Sequence, residues 1–379
     1  MKIDFINSNY TRFFKAHDKE IMKVVVGCLS TGQLTLRKQV WDLEKRLAKY
    51  VGTKYAVTCN SGTDALFLSL LALGIGPGDE VITVSNTFVA TIQAIVHTGA
   101  TPILIDVKDD ELMDTDQIEA VITEKTKAII PVQYTGAVCD MDKIIETAKK
   151  HNLHIVDDAC QALGASRNGV KVGTYGILNC FSFNTAKLLG GLSDGGAVTT
   201  DSRILYEKIC LLRNHWNIHQ LSVNRKDYPQ PETMEWAWKS RLSNVNASFL
   251  NVKFKTINWI LKRREQIALK YNKAFKDLPI GLPHECKGRI FQEYHLRIEN
   301  SQEMNERGLF VVFLRKNGIE TLIRDTIPNH KMKGLGLEHF DLPVTEQLAK
   351  EVVRIPLYEW LTDKEVDYII KIVKKYYGK

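Results

Sequence analysis

Lys187 sits in Phe181-Ser182-Phe183-Asn184-Thr185-Ala186-Lys187-Leu188-Leu189-Gly190-Gly191, with Ser193-Asp194-Gly195-Gly196 directly behind it. An apolar strand that ends in small polar residues, one lysine and a glycine cluster suits a buried amine better than a solvated cation. Desolvation disfavours the ammonium form, so the neutral amine that condenses with a carbonyl becomes accessible near neutral pH. Upstream, His154-Ile155-Val156-Asp157-Asp158-Ala159-Cys160-Gln161-Ala162 is a short β-branched run that ends in two carboxylates. Open α/β sheets bind ligands at the carboxyl ends of their strands, where Asp158 falls. A lysine for a Schiff base and a carboxylate that keeps a pyridine nitrogen protonated are the pair that pyridoxal phosphate (PLP) requires. Taken alone, the two aspartates also suit a helix N-cap.

Two more runs offer the rest of a site. Asn60-Ser61-Gly62-Thr63-Asp64-Ala65-Leu66 joins the strand-like Tyr55-Ala56-Val57-Thr58-Cys59 to a helix-like apolar stretch. A strand, a glycine turn and a helix N-terminus present free N–H groups to an anion, so Gly62 and Thr63 are the expected phosphate contacts. An ordinary capped helix is the plainer reading of the same residues. Neither G-x-G-x-x-G nor G-x-x-x-x-G-K-[ST] occurs here, which argues against a dinucleotide or nucleoside triphosphate. Phe88, in Val84-Ser85-Asn86-Thr87-Phe88-Val89-Ala90-Thr91, follows another strand and is placed to stack on a planar ring, or to pack in the core.

In this order the runs resemble the DegT/DnrJ/StrS family of sugar aminotransferases, PLP enzymes of the aspartate aminotransferase fold type. The resemblance rests on Ser61-Gly62-Thr63-Asp64-Ala65-Leu66, Gly76-Pro77-Gly78-Asp79-Glu80-Val81-Ile82, Thr87-Phe88-Val89-Ala90-Thr91, Asp158-Ala159-Cys160-Gln161-Ala162-Leu163-Gly164-Ala165, and the Lys187 run through Asp194-Gly195-Gly196. It implies that Lys187 forms the Schiff base and moves protons, and that Asp158 pairs with the pyridine nitrogen. It further implies Gln161 at the phenolic oxygen, Phe88 on the ring, and Gly62, Thr63 and Ser182 on the phosphate. Dehydratases of the family carry histidine at the Schiff-base position, so Lys187 favours transamination. The implied reaction moves an amino group from an amino acid, L-glutamate by resemblance, to a nucleotide-linked 3- or 4-keto sugar, in the making of amino sugars for surface polysaccharide such as lipopolysaccharide O-antigen or for a glycosylated metabolite. The implied assembly is a homodimer with active sites at the subunit interface.

Three runs depart from the family. Trp238-Lys239-Ser240-Arg241-Leu242 has Lys239 where relatives place an asparagine that reaches the partner's phosphate. Lys239 is the cation on offer there, although a flexible point charge need not copy an amide. Arg324-Asp325-Thr326 replaces a His-Tyr-Pro sequence that shapes the sugar pocket, while His330 matches a motif histidine that binds substrate or merely packs. Pro131-Val132-Gln133-Tyr134-Thr135-Gly136 stands where relatives tend to read Pro-Val-His-Leu-Tyr-Gly. The alternatives are another PLP reaction, such as dehydration, or a regulator that binds a sugar ligand without catalysis.

Positioning these residues requires a sheet. Strand-like runs at 55–59, 80–84, 102–106, 127–132, 153–157, 178–183 and 196–200 are separated by helix-length segments in the first five cases. That alternation predicts an α/β fold, PLP fold type I, with a mainly parallel seven-stranded sheet flanked by helices. The glycine-rich Lys187 loop is too short for a crossover helix, so one strand beside it should be antiparallel. An irregular loop is expected over 218–237, a long helix over 244–273, and then short strands near 292–298 and 353–356 with helices near 302–316 and 363–377. The expected division is an N-terminal segment, 1–30, packing on a small C-terminal α+β domain, 251–379, and a large PLP-binding domain, 31–250.

Composition agrees with this. The 379 residues are 44% hydrophobic and 25% charged, the balance of a folded protein of two domains, and the formal charge of +7 suits anionic ligands. The basic residues are scattered and accompany no reader motif, so nucleic acid is not an expected partner. Seven scattered cysteines without C-x-x-C spacing read as buried thiols of a reducing compartment, with no metal site. With neither a signal-like N-terminus nor an apolar run long enough for a bilayer, the expected location is cytoplasmic and no membrane partner is expected.

Overall fold

Successive side chains of a strand point to opposite faces of its sheet, and here they feed two separate cores. Ala56, Ile82, Ile129, Ile155, Phe181 and Ala197 join one core, whereas their neighbours Val57, Val81, Ala128, Val156, Cys180 and Val198 join the other. Burial on both faces is why these strands are nearly continuous apolar runs. The computed structural model describes residues 1–216, 235–299, 305–324 and 326–379. Most of the expected 218–237 loop, and Asp325, lie outside them.

The first helices are α1 (Asn7–Ser30) and α2 (Lys38–Val51). The strands that follow are β1 (Tyr55–Cys59), β2 (Glu80–Val84), β3 (Thr101–Ile105), β4 (Thr126–Ile129) and β5 (His154–Asp158). A two-stranded hairpin, β6 (Ser166–Arg167) and β7 (Val170–Lys171), precedes β8 (Leu178–Ser182) and β9 (Gly196–Thr200). The sheet has seven strands in the order β1-β9-β8-β5-β4-β2-β3. Only β9 opposes its neighbours, pairing antiparallel with both β1 and β8, so the other six strands end on one edge. Helices α3 (Gly62–Ala72), α4 (Ala90–His97) and α6 (Arg203–Leu212) cover one face, and α2, α5 (Met141–Lys150) and α7 (Asn244–Phe254) the other.

Two of the five helix-length segments hold no α-helix. The 106–125 stretch forms two 3-10 turns, Thr115–Gln117 and Glu119–Val121, and the β5 to β8 connection is the short hairpin. The long helix expected over 244–273 is two, because α8 (Ile257–Phe275) starts afresh after Lys255 and Thr256. A third core gathers α8, α9 (Glu306–Lys316) and α11 (Asp363–Tyr376) around the antiparallel pair β10 (Tyr294–Arg297) and β11 (Val352–Ile355), while α10 (Pro343–Glu351) leads into β11. Helix α1 crosses between these parts. Its Phe13 and Ile21 pack on Phe249 and Val252 of α7, while Asn9 bonds Glu359 at 3.1 Å and Arg12 bonds Glu365 at 2.6 Å.

No helix among the described residues is long and apolar enough to cross a membrane. All seven cysteines are free thiols, but Cys286 is exposed and Cys160 half-buried, contrary to the expectation that all are buried.

Candidate active site

Because six strands end on one edge, the segments that leave β1, β2, β5 and β8 converge there. Gly62, Thr63, Phe88, Asp158, Gln161, Ser182 and Lys187 line one cavity of about 470 Å³. Asp158 closes β5, and no helix begins after it, which removes the N-cap alternative. Its carboxylate instead accepts from the Thr91 hydroxyl at 2.8 Å and the Cys160 N–H at 3.2 Å. Thr87 bonds Thr91 at 2.8 Å, so the loop that carries Phe88 and the helix after it aim Asp158. Phe88 itself is 53% exposed, which excludes a core role.

Lys187 lies in the connection between β8 and β9. Two distant residues clasp this loop. The Tyr10 hydroxyl of α1 lies 2.7 Å from the Thr185 carbonyl and 2.8 Å from that of Gly191. Gln292 donates to the Ala186 carbonyl at 2.9 Å and accepts from the Leu188 N–H at 3.1 Å, holding both neighbours of the lysine. Burial lowers the Lys187 pKa from its ordinary value, with Arg324 acting in the same direction and Cys160, Glu293 and Asp158 opposing. The uncharged amine is thereby easier to reach than for a solvated lysine.

At the N-terminus of α3 the Ser61 hydroxyl caps the helix by accepting from the Asp64 N–H at 3.0 Å. The capped-helix reading therefore holds, yet the N–H groups of Gly62 and Thr63 have no partner among the described residues and open on the cavity. A Cβ on Gly62 would come within 2.8 Å of the Ser182 Cβ and 3.0 Å of the Cys160 sulfur. Glycine is needed for this close approach. The free N–H pair, the adjacent Ser182 hydroxyl, the desolvated amine and the fixed carboxylate fit a phosphate-bearing pyridine aldehyde, which is the form of PLP.

Gln161 accepts from the Thr135 N–H at 3.2 Å, so the departing 131–136 run supports it from behind. In that run Gln133 donates to buried Asp157 at 2.8 Å and Gly173 donates to the same carboxylate at 3.2 Å. Burial nevertheless pushes the Asp157 carboxyl up to about 7.

Two expected residues do not reach the cavity. His330 is fully buried, with Nδ1 2.8 Å from the Ser85 hydroxyl and Nε2 3.2 Å from Glu346, outside the cavity lining. Lys239 is exposed on an isolated bridge to Asn214, outside the cavity lining. Conversely, Thr91, Asn184, Gln292, Glu293 and Arg324 line the cavity without having been singled out as binding residues. The Thr87 to Thr91 spacing, one helical turn, was the available signal for Thr91.

A model of the DegT/DnrJ/EryC1/StrS aminotransferase family matches residues 15–374. A pleiotropic regulatory protein of Geobacillus stearothermophilus is 33% identical, with 94% of each chain covered. The dTDP-3-amino-3,6-dideoxy-alpha-D-galactopyranose transaminase of Aneurinibacillus thermoaerophilus is 36% identical, covering 95% of this chain and 96% of its own. Among solved structures, a putative sugar aminotransferase from Streptococcus pneumoniae in its PLP form matches with a TM-score of 0.84 at 29% identity, covering 94% of this chain and 96% of its own. The chain belongs to the DegT/DnrJ/EryC1/StrS aminotransferase family and is a PLP-dependent sugar aminotransferase.

Proposed function

We propose that this family member transfers the amino group of L-glutamate to the ketone of a nucleoside-diphosphate keto sugar, supplying an amino sugar for a surface polysaccharide or a glycosylated metabolite. The observation that carries this reading is the half-buried Lys187, its amine desolvated and facing the same cavity as an Asp158 carboxylate fixed by Thr91. The nucleotide-linked substrate is supported by the name of the Aneurinibacillus relative and by the +7 charge of the chain.

PLP, when bound, supplies an aldehyde for the amine and a ring that spreads negative charge from the substrate carbon. The N–H groups of Gly62 and Thr63 and the Ser182 hydroxyl would hold its phosphate. Asp158 would keep a proton on the pyridine nitrogen, and Gln161 would donate to the phenolic oxygen. Phe88 would cover the ring. Lys187 Nζ would take a proton from the donor's α-carbon and return one to the acceptor's carbon.

The working form in this proposal is a cytoplasmic homodimer, organised as a segment 1–30, a large domain 31–250 and a small domain 251–379. Association is supported by Trp236 at 101% exposure, Trp238 at 53% and Leu192 at 48%, unusual for side chains of this type on a monomer's surface. Lys239, exposed beside the tryptophans, remains a candidate for the partner's phosphate.

The test loads the protein with PLP, converts it with L-glutamate while following cofactor absorbance, and then screens keto nucleotide sugars for recovery of the starting spectrum. Failure to take up PLP through a lysine, or failure of Lys187→Ala to abolish that uptake signal, would overturn the assignment. The name of the Geobacillus relative, a pleiotropic regulatory protein, favours a second reading, a regulator, whose ligand would be the sugar. Nucleotide-sugar binding with no amine transfer from any donor would support that reading.

A further inference from the structure

Arg324 enters the Lys187 cavity from the segment after α9, and its position is over-determined from behind. Its Nη2 donates to Glu293 Oε1 at 2.7 Å. The other Glu293 oxygen lies 2.9 Å from Arg354 Nε and 3.4 Å from His295 Nε2. Burial alone would raise the Glu293 carboxyl, but Arg354, His295 and Arg324 outweigh it and hold the group well below its ordinary value. Glu293 is thus a fixed carboxylate whose second face is already occupied by the buried Arg354. It aims Arg324 without using up the guanidinium, whose remaining nitrogens have no partner among the described residues, with the side chain 26% exposed.

Two arginines share one carboxylate, and Arg324 stands close enough to Lys187 to oppose its protonation. A planar guanidinium with free parallel donors matches a carboxylate in two-point fashion. We propose that Arg324 is the carboxylate-docking residue of this site, taking either the carboxylate of the amino donor or one carried by a uronate-type sugar acceptor. This rests on the transaminase reading and adds the chemical group that the substrate must present. Glu293 is the positioning residue behind it.

The probe is glutarate, a dicarboxylate without an amine, titrated calorimetrically into the PLP-loaded parent, Arg324→Gln and Arg324→Lys. The parent should bind it. Arg324→Gln should bind about ten- to a hundredfold more weakly, the span expected for one charge-assisted hydrogen-bonded contact, and Arg324→Lys should recover part of the loss. In single turnovers the parent should prefer L-glutamate over its α-amide by a similar factor. Loss of that preference in Arg324→Gln identifies the donor carboxylate. A persisting preference, with lost discrimination between a uronate and a neutral keto nucleotide sugar, identifies the acceptor carboxylate.

A parent that binds no glutarate, or affinities and preferences unchanged in both variants, overturns the inference. If Arg324→Gln does not hold cofactor, Arg324→Lys with intact cofactor absorbance provides the same comparison. A parent that transfers no amine in either half-reaction would instead undo the transaminase reading, and the glutarate titration would still stand apart from it.

Discussion

Replacing Tyr10 by phenylalanine should loosen the Lys187 loop without touching the cavity. The hydroxyl bridges the Thr185 and Gly191 carbonyls at 2.7 and 2.8 Å, and neither carbonyl has another partner among the described residues. Thr185 is exposed and can be rehydrated, but Gly191 is buried, so its carbonyl would be left unsatisfied. One lost hydrogen bond and one buried orphan acceptor together cost about 1–3 kcal/mol. The ring is retained, and with it the Lys253 ammonium 5.2 Å from its centroid, which separates the hydroxyl from the packing. If the loop must be ordered to hold the cofactor, that energy appears as PLP affinity weakened by about five- to a hundredfold, at about 1.4 kcal/mol per decade. Absorbance titration of the apo-protein with PLP measures it, and hydrogen exchange of the 184–192 amides reports the loop directly. Parent-like affinity together with parent-like exchange would refute the idea that α1 holds the Lys187 loop.

Gly62→Ala should weaken binding of PLP and of inorganic phosphate, because its Cβ would lie 2.8 Å from the Ser182 Cβ on a strand that cannot yield. Relief of such overpacking costs about 1–3 kcal/mol, so equal phosphate affinity in variant and parent would count against the cradle. Asp157 gives a pH test. With burial raising its pKa from 3.8 to about 7, the folded state holds a proton that the unfolded chain has released between these limits. The stability from this group is full at low pH and is lost as pH rises through about 7. Asp157→Asn is neutral throughout, so its melting temperature should gain on that of the parent between about pH 4 and about pH 7. A difference that is flat in pH would contradict this.

The sheet was legible because its residues repeat a local pattern. Runs 55–59, 80–84 and 196–200 are strands with those bounds, and the antiparallel strand beside the Lys187 loop followed from loop length alone. The crossovers were less legible. A segment long enough for a helix at 106–125 holds 3-10 turns, and the helix of 244–273 is interrupted at Lys255 and Thr256, because length and polarity do not specify where backbone bonds stop. In the cavity, groups near strand ends were found from sequence, whereas Tyr10, Gln292 and the Glu293 to Arg324 pair were not. Their partners lie far along the chain, and no periodicity encodes such meetings. His330 lies outside the cavity for the converse reason: its neighbours Ser85 and Glu346, invisible in a local window, take both ring nitrogens.

The bridging position of α1 also bears on how the molecule is made. Asn9 leaves the ribosome 350 residues before its partner Glu359, and Arg12 precedes Glu365 by 353. The clasp on Thr185 and Gly191 therefore comes from a helix that packs on α7 but meets its polar partners Glu359 and Glu365 only when these much later residues have been made. Such distant closures form late in folding. A nascent chain can assemble its central sheet while the lysine loop is still unclasped, so competence to retain cofactor should arrive only after Glu359 and Glu365 have emerged to anchor α1.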